Sequence, residues 1–220
     1  MVRTGPFNRH PERYEEWFER NHAAYQAELR AIATLFGECE NALEVGVGTG
    51  RFALPLGIRQ GVDPSPVMVH VARQRGIEVK LAPAEALPYP DQSFDCLLMV
   101  TTICFVDDLD QALGEAYRVL RPGGRIVVGF VDRESELGRH YLTHREENPF
   151  YREATFYSTQ EVTEALERAG FRQFKFVQTL FGPLEEITDD EPVRPGHGKG
   201  SFVVISALRP ASSPVSSPDH

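Results

Sequence analysis

Residues 43–50 read LEVGVGTG, a short apolar run that ends in three glycines at alternate positions. Glycine inside a strand packs nothing and weakens it, so three glycines at period two require a local cause. Without Cβ atoms a ligand can come close to the backbone, and the chain can take positive φ. The stretch therefore reads as a strand leading into a turn built against a ligand.

Outward from that turn the pattern is regular. A helical stripe over residues 11–36, with Tyr14, Trp17, Phe18, Tyr25, Leu29 and Ile32, precedes the strand and stops near Gly37. After the glycines a short helix is expected near RFALPL, then a strand in GIRQGVD. The next helix has Ser65 as N-cap, Pro66 at its first position and Gly76 past its end. IEVKLA and FDCLLMV read as third and fourth strands, the latter apolar throughout like a parallel strand covered on both faces. A helix from Asp108 to Leu120, a turn at RPGG and a fifth strand RIVVGFV follow. Residues 132–157 are polar, aromatic-rich and weakly periodic. Ser158 and Glu161 then have capping-box spacing at the start of a helix, and FRQFKFVQTLF and SFVVISALR close the chain as two successive strands. Strands alternating with helices and ending in two strands describe an α/β doubly wound sheet with an antiparallel edge.

With 220 residues the chain can build one sizeable core. Three domain-level segments are expected: a helical cap over residues 1–40, a ligand-binding domain over 41–209 with 132–157 inserted in it, and a low-complexity, disordered tail over 210–220. A formal net charge of −9 argues against a nucleic-acid partner, which needs clustered Lys and Arg. The three cysteines, Cys39, Cys96 and Cys104, form no CxxC or metal-ligand spacing. Cys96 reads as a small buried hydrophobe, and the sparse, odd count fits a reducing compartment. No apolar leader and no run of 18 apolar residues is seen, which suggests a cytoplasmic protein with no membrane partner.

In a doubly wound sheet the ligand sits beyond the carboxyl ends of the strands, with the first strand-to-helix turn as its cradle. A dinucleotide fingerprint would read GxGxxG with a helix N-terminus on a pyrophosphate. Here the spacing is GxGxG, and Glu44 stands just before the first glycine, where a carboxylate suits a cation better than a diphosphate. Asp63 ends the second strand, placed to accept hydrogen bonds from both hydroxyls of a ribose. Asp-Pro-Ser is also good turn chemistry, but the glycines upstream favour the ribose.

Together, LEVGVGTGRFA, GVDPSPVMVHVAR, APAEALPYPDQSFDCLLMV and EAYRVLRPGGRIVVG resemble the class I S-adenosylmethionine-dependent methyltransferases, in particular the type 11 group. The likeness spans roughly residues 41–131 in the right order. It implies a three-layer Rossmann-like fold whose seven-stranded, mostly parallel sheet runs 3-2-1-4-5-7-6, strand seven being antiparallel. It implies S-adenosyl-L-methionine as cofactor and S-adenosyl-L-homocysteine as product. By position, Glu44 is then the acidic residue near the methionine end, and Gly46, Gly48 and Gly50 are the loop beneath it. Asp63 is the ribose acid, and Pro64 and Met68 flank the adenine. Ala84 and Glu85 lie at the adenine edge, and Thr101 is beside the methionine moiety. One departure is Pro83, where many relatives carry an Asp that accepts the adenine amino group.

The acceptor is less legible, because in-line methyl transfer can proceed largely by positioning and desolvation. No NPPY-like run follows the fourth strand, and Cys104 is not preceded by proline, which speaks against adenine-N6, glutamine and cytosine-C5 acceptors. Tyr14 and Trp17, at the start of the first helix, are lid candidates over the cofactor, the alternative being a core-facing stripe. Arg133, Glu134, Arg139, His140, Tyr141, His144, Phe156 and Tyr157 lie past a central strand, where an acceptor pocket would form. His140 and His144 have metal-ligand spacing but no third ligand, so no metal is expected. His140 and Tyr141 are weak candidates for a general base. The leading expectation is methyl transfer to O or N of a small molecule by a monomer or homodimer. A non-catalytic cofactor-binding module and an NAD-dependent oxidoreductase are the alternatives.

Overall fold

The computed structural model describes residues 3–211; the expected low-complexity tail lies outside them beyond Ala211. In chain order the elements are α1 (Gly5–Arg9), α2 (Pro11–Arg20), α3 (His22–Phe36), β1 (Ala42–Val45), β2 (Gln60–Asp63), α4 (Pro66–Gln74), β3 (Glu78–Leu81) and β4 (Phe94–Val100). They continue with α5 (Leu109–Val119), β5 (Leu120–Val131), α6 (Glu136–Thr143), α7 (Pro149–Glu153), α8 (Thr159–Arg168), β6 (Arg172–Thr179), β7 (Arg194–Pro195) and β8 (Phe202–Leu208). The strands form one sheet in the order β3-β2-β1-β4-β5-β8-β6-β7. β1 to β5 are parallel, and β8 runs antiparallel to both β5 and β6. This is the expected 3-2-1-4-5-7-6 sheet, with one addition. The short β7 pairs through Val177 and Gln178 on the outer edge of β6, making eight strands instead of seven.

Helices cover both faces, so the central strands are buried from either side and read as continuous apolar runs. Leu97, Leu98 and Met99 of β4 are fully buried. One core gathers Leu43, Leu97, Ile126 and Val203 with Leu113 of α5 and Leu166 of α8. The other gathers Leu98, Val127 and Val204 with Ile32 of α3 and Val69 of α4. The three layers follow from strand alternation: successive residues of each strand feed opposite cores.

Local signals set most boundaries. Ser65 Oγ accepts from the Met68 N–H at the start of α4, and Asp108 from the Gln111 N–H at the start of α5. Ser158 and Glu161 form the expected reciprocal capping box on α8.

Several expectations need correction. The long helix over residues 11–36 is two helices, because Asn21 leaves helical geometry (φ −109°, ψ 44°) and its side chain bonds the Trp17 carbonyl (3.1 Å). A further short helix, α1, precedes them. RFALPL forms successive turns, since Pro55 offers no N–H and Gly57 takes φ +73°. RPGG lies within β5, across an irregularity between the Phe94 and Cys96 pairings. Cys96 is buried as expected but is bonded to Cys39 in a disulfide spanning 57 residues; Cys104 alone is free. The bond ties the segment after α3 to β4.

Candidate functional site

The carboxyl ends of β1, β2, β4 and β5 open onto a cavity of about 840 Å³. Its floor is the glycine turn. The Gly46 and Val47 N–H groups both donate to the Val62 carbonyl (2.8 and 3.0 Å), so the turn is held to β2. Gly48 (φ +53°) donates its N–H to Asp63 Oδ2 (2.9 Å), and the Ser65 N–H donates to Asp63 Oδ1 (2.8 Å). Asp63 thus braces both the glycine turn and the entry to α4. Each oxygen keeps a lone pair for a further donor from the cavity, which Asp63 lines. Burial pushes its carboxyl up to about 6, against the two backbone N–H groups that favour the charged form.

The glycines serve the chain itself as well as any ligand. A Cβ on Gly46 would strike the Thr102 side chain at 2.3 Å, and one on Gly48 would meet the Tyr14 hydroxyl at 2.7 Å. Thr102 Oγ1 in turn donates to the Val45 carbonyl (3.0 Å), pinning the end of β4 on the glycine turn. Thr101, beside it on the cavity wall, takes φ +50°. A β-branched residue in that region is strained, a condition that clusters at functional sites.

Glu44 stands behind this wall, 1% exposed. One carboxylate oxygen accepts from the Ala53 N–H, while Oε2 has no partner. Burial drives its pKa well above the usual carboxylate range. A buried polar atom without a partner is costly, and Glu44 is not among the residues that line the cavity.

Over the turn lies α2. Glu15 receives Arg51 Nε (3.0 Å), Arg75 Nη2 (2.7 Å) and the Thr49 hydroxyl, linking α2 to the glycine loop and to the end of α4. Its own burial raises the Glu15 carboxyl, but these donors prevail and hold it down to about 2. Asn8 of α1 accepts from Ser65 Oγ (2.7 Å), a second tether. Tyr14 and Trp17 both line the cavity, and Tyr14 packs edge-on against Phe7 and Phe18. Tyr14 and Trp17 pack against the core and line the cavity, and the buried Phe18 between them and the core also reaches its lining.

Of the remaining expected cofactor residues, Pro64, Ala84 and Glu85 line the cavity. Met68 is fully buried and, with Gly50 and Glu44, lies outside the lining. The Glu85 side chain is engaged in holding the loop before α5, accepting from the Asp107 N–H (2.6 Å).

The segment from 132 to 157 folds over the mouth as α6 and α7. Tyr141 stacks on Tyr151 (centroids 4.1 Å apart), and Phe150, Phe156 and Trp17 complete an aromatic chamber. His140 lines the rim, exposed, with its ring 4.3 Å from that of His144. Burial and the neighbouring Tyr151 push the Tyr141 hydroxyl well above 10, so it is suited to donate a hydrogen bond and poorly suited to act as a base. Arg133 is drawn away to Glu161 (3.0 Å), and Arg139 to the Glu134 carbonyl. Sequence reasoning missed Glu15, Glu28, Thr102, Phe150 and Tyr151. Glu28 alone carried a signal, an acid on the apolar stripe of its helix.

The geometry can be set beside known proteins. A family described as "Methyltransferase domain" matches residues 43–128. A crystal structure from Thermotoga maritima, described as an S-adenosylmethionine-dependent methyltransferase and possible histamine N-methyltransferase, is 51% identical. It superposes with a TM-score of 0.90 over 92% of this chain and 97% of its own. An uncharacterized protein of Methanocaldococcus jannaschii is 40% identical over 201 residues, 91% of this chain and 97% of that protein. A demethylmenaquinone methyltransferase of Thermus thermophilus is 42% identical over 98 residues, 39% of this chain and 44% of its own.

Proposed function

We propose that this chain, which belongs to the class I S-adenosylmethionine-dependent methyltransferases of the type 11 group, is an enzyme and has S-adenosylmethionine as its cofactor, transfers methyl to O or N of a small molecule held in the aromatic chamber. The observation that carries this reading is continuity. One cavity is lined both by the glycine turn and Asp63 and by the Tyr141–Tyr151 stack. The description of the Thermotoga maritima protein, as a possible histamine N-methyltransferase, favours nitrogen.

The residues fit the cofactor. Asp63 offers two lone pairs to the ribose hydroxyls, and Gly46 and Gly48 bring bare backbone to the cavity wall. Pro64 and Ala84 offer apolar walls to the base. When bound, the cofactor supplies an activated methyl group on a sulfonium sulfur. The chain's own part is to orient and to exclude water. Residues 1–40 act as a cap whose Tyr14 and Trp17 close the donor side, while residues 132–157 form the acceptor wall.

Calorimetric titration with S-adenosylmethionine, S-adenosylhomocysteine and NAD, repeated on Asp63→Ala, tests the donor half. Binding of the first two, weakened by roughly tenfold or more in the variant, is expected. Unchanged binding in Asp63→Ala would remove Asp63 from the site, and binding of NAD alone would overturn the reading.

A further inference from the structure

The face of α3 that packs into the protein carries Ala24, Tyr25, Ala27, Glu28, Ala31 and Ile32. Five of these are what such a face calls for. Glu28 is not. It is 3% exposed, lines the cavity, and has no ion-pair or hydrogen-bond partner among the described residues. A leucine at this position would pack at no electrostatic cost, whereas a lone buried carboxyl is destabilising.

Burial alone pushes Glu28 up to about 8. The groups that sense its charge are tyrosines, Tyr25 on its own helix and Tyr141 and Tyr151 on the covering segment. Of the arginines on the cavity wall, Arg3 is occupied by the Glu153 carbonyl (2.9 Å) and Thr155 Oγ1 (2.7 Å), while Arg13 and Arg20 are exposed. The deep titratable group of the chamber is therefore an acid ringed by aromatic faces: burial holds the empty site's Glu28 largely protonated near neutral pH, and an incoming cation would draw out its ionised form while the ring faces attract it. An anionic acceptor would hold Glu28 in its protonated form and gain no ion pair from it, whereas a cation gains one.

We infer that the acceptor carries an ammonium group, bound by the Glu28 carboxylate and flanked by Trp17, Tyr141 and Tyr151. The inference rests on the methyl-transfer reading above and adds the chemical class of the acceptor: an amine whose body packs between the rings. Glu28 is its binding residue, and the aromatic chamber its specificity pocket.

The test uses the full chain saturated with S-adenosylhomocysteine. Histamine, tryptamine and phenethylamine are titrated calorimetrically against the alcohols of the same skeletons. At least one amine is expected to bind about tenfold or more tighter than its alcohol. Glu28→Gln should abolish that preference while leaving the alcohol and S-adenosylhomocysteine affinities within about twofold of the parent. No preference for any amine, or a preference that survives Glu28→Gln, overturns the inference and leaves methyl transfer standing. Failure of the parent chain to bind S-adenosylhomocysteine would sink the methyl-transfer reading itself. Should Glu28→Gln not fold, the amine-to-alcohol ratio of the parent chain still decides.

Discussion

Gly48→Ala would separate what the backbone demands from what the cap demands. Gly48 sits at φ +53°, where an L side chain costs about 1–2 kcal/mol. The added Cβ would also lie 2.7 Å from the Tyr14 hydroxyl, forcing α2 or the ring to shift, at a further cost of roughly 1–2 kcal/mol. For a chain of this size the sum corresponds to a fall in Tm of about 4–16 °C. Tyr14→Phe isolates the second part. The hydroxyl has no hydrogen-bond partner among the described residues, and without it the next ring atom stands at 3.4 Å, an ordinary contact. In the Gly48→Ala background, Tyr14→Phe should thus restore about 1–2 kcal/mol, while alone it should cost little. Urea unfolding of the parent, both single variants and the double variant measures the coupling directly. Additivity within about 0.5 kcal/mol would show that Tyr14 does not seat on Gly48, and the cap reading would fall with it.

Affinity for S-adenosylhomocysteine should depend on pH through Asp63. Because burial raises this carboxyl to about 6 in the free chain, the ionised acceptor that binds ribose is present above pH 6 and is lost as pH falls through it. Calorimetry from pH 8 to 5 should show affinity dropping as pH falls below 6, and a flat profile would exclude the role. The disulfide gives a chemical prediction: unfolded, unreduced protein should titrate one thiol, Cys104, and reduced protein three. Cys39→Ser should lower stability by up to about 4 kcal/mol, the loop-closure value for a bridge of this separation, as read from denaturant unfolding.

The sequence by itself determined the sheet and the place of the glycine turn and Asp63 in it. β4 is apolar throughout because both its faces are covered, and α4, α5 and α8 begin where Ser65, Asp108 and Ser158 can cap them. Those signals are local, each set by a few consecutive residues. The glycine turn and Asp63 were legible for the same reason, since they end adjacent strands and their positions follow from strand order.

What only the tertiary structure decided lies between segments far apart in the chain. Asn21 breaks the first long helix by a hydrogen bond that its neighbours do not announce. Cys39 and Cys96 meet across 57 residues, a pairing that sparse cysteine counts argued against. The aromatic chamber joins Trp17 of α2, Glu28 of α3, Tyr141 of α6 and Tyr151 of α7. No spacing rule links them, because contact across such distances is fixed by how layers pack and not by helical or strand period. Glu28 shows the limit most clearly. In the sequence it is no more than an acid on the apolar stripe of a helix, and its meaning comes from burial without a partner, a property that exists only once the chain has folded.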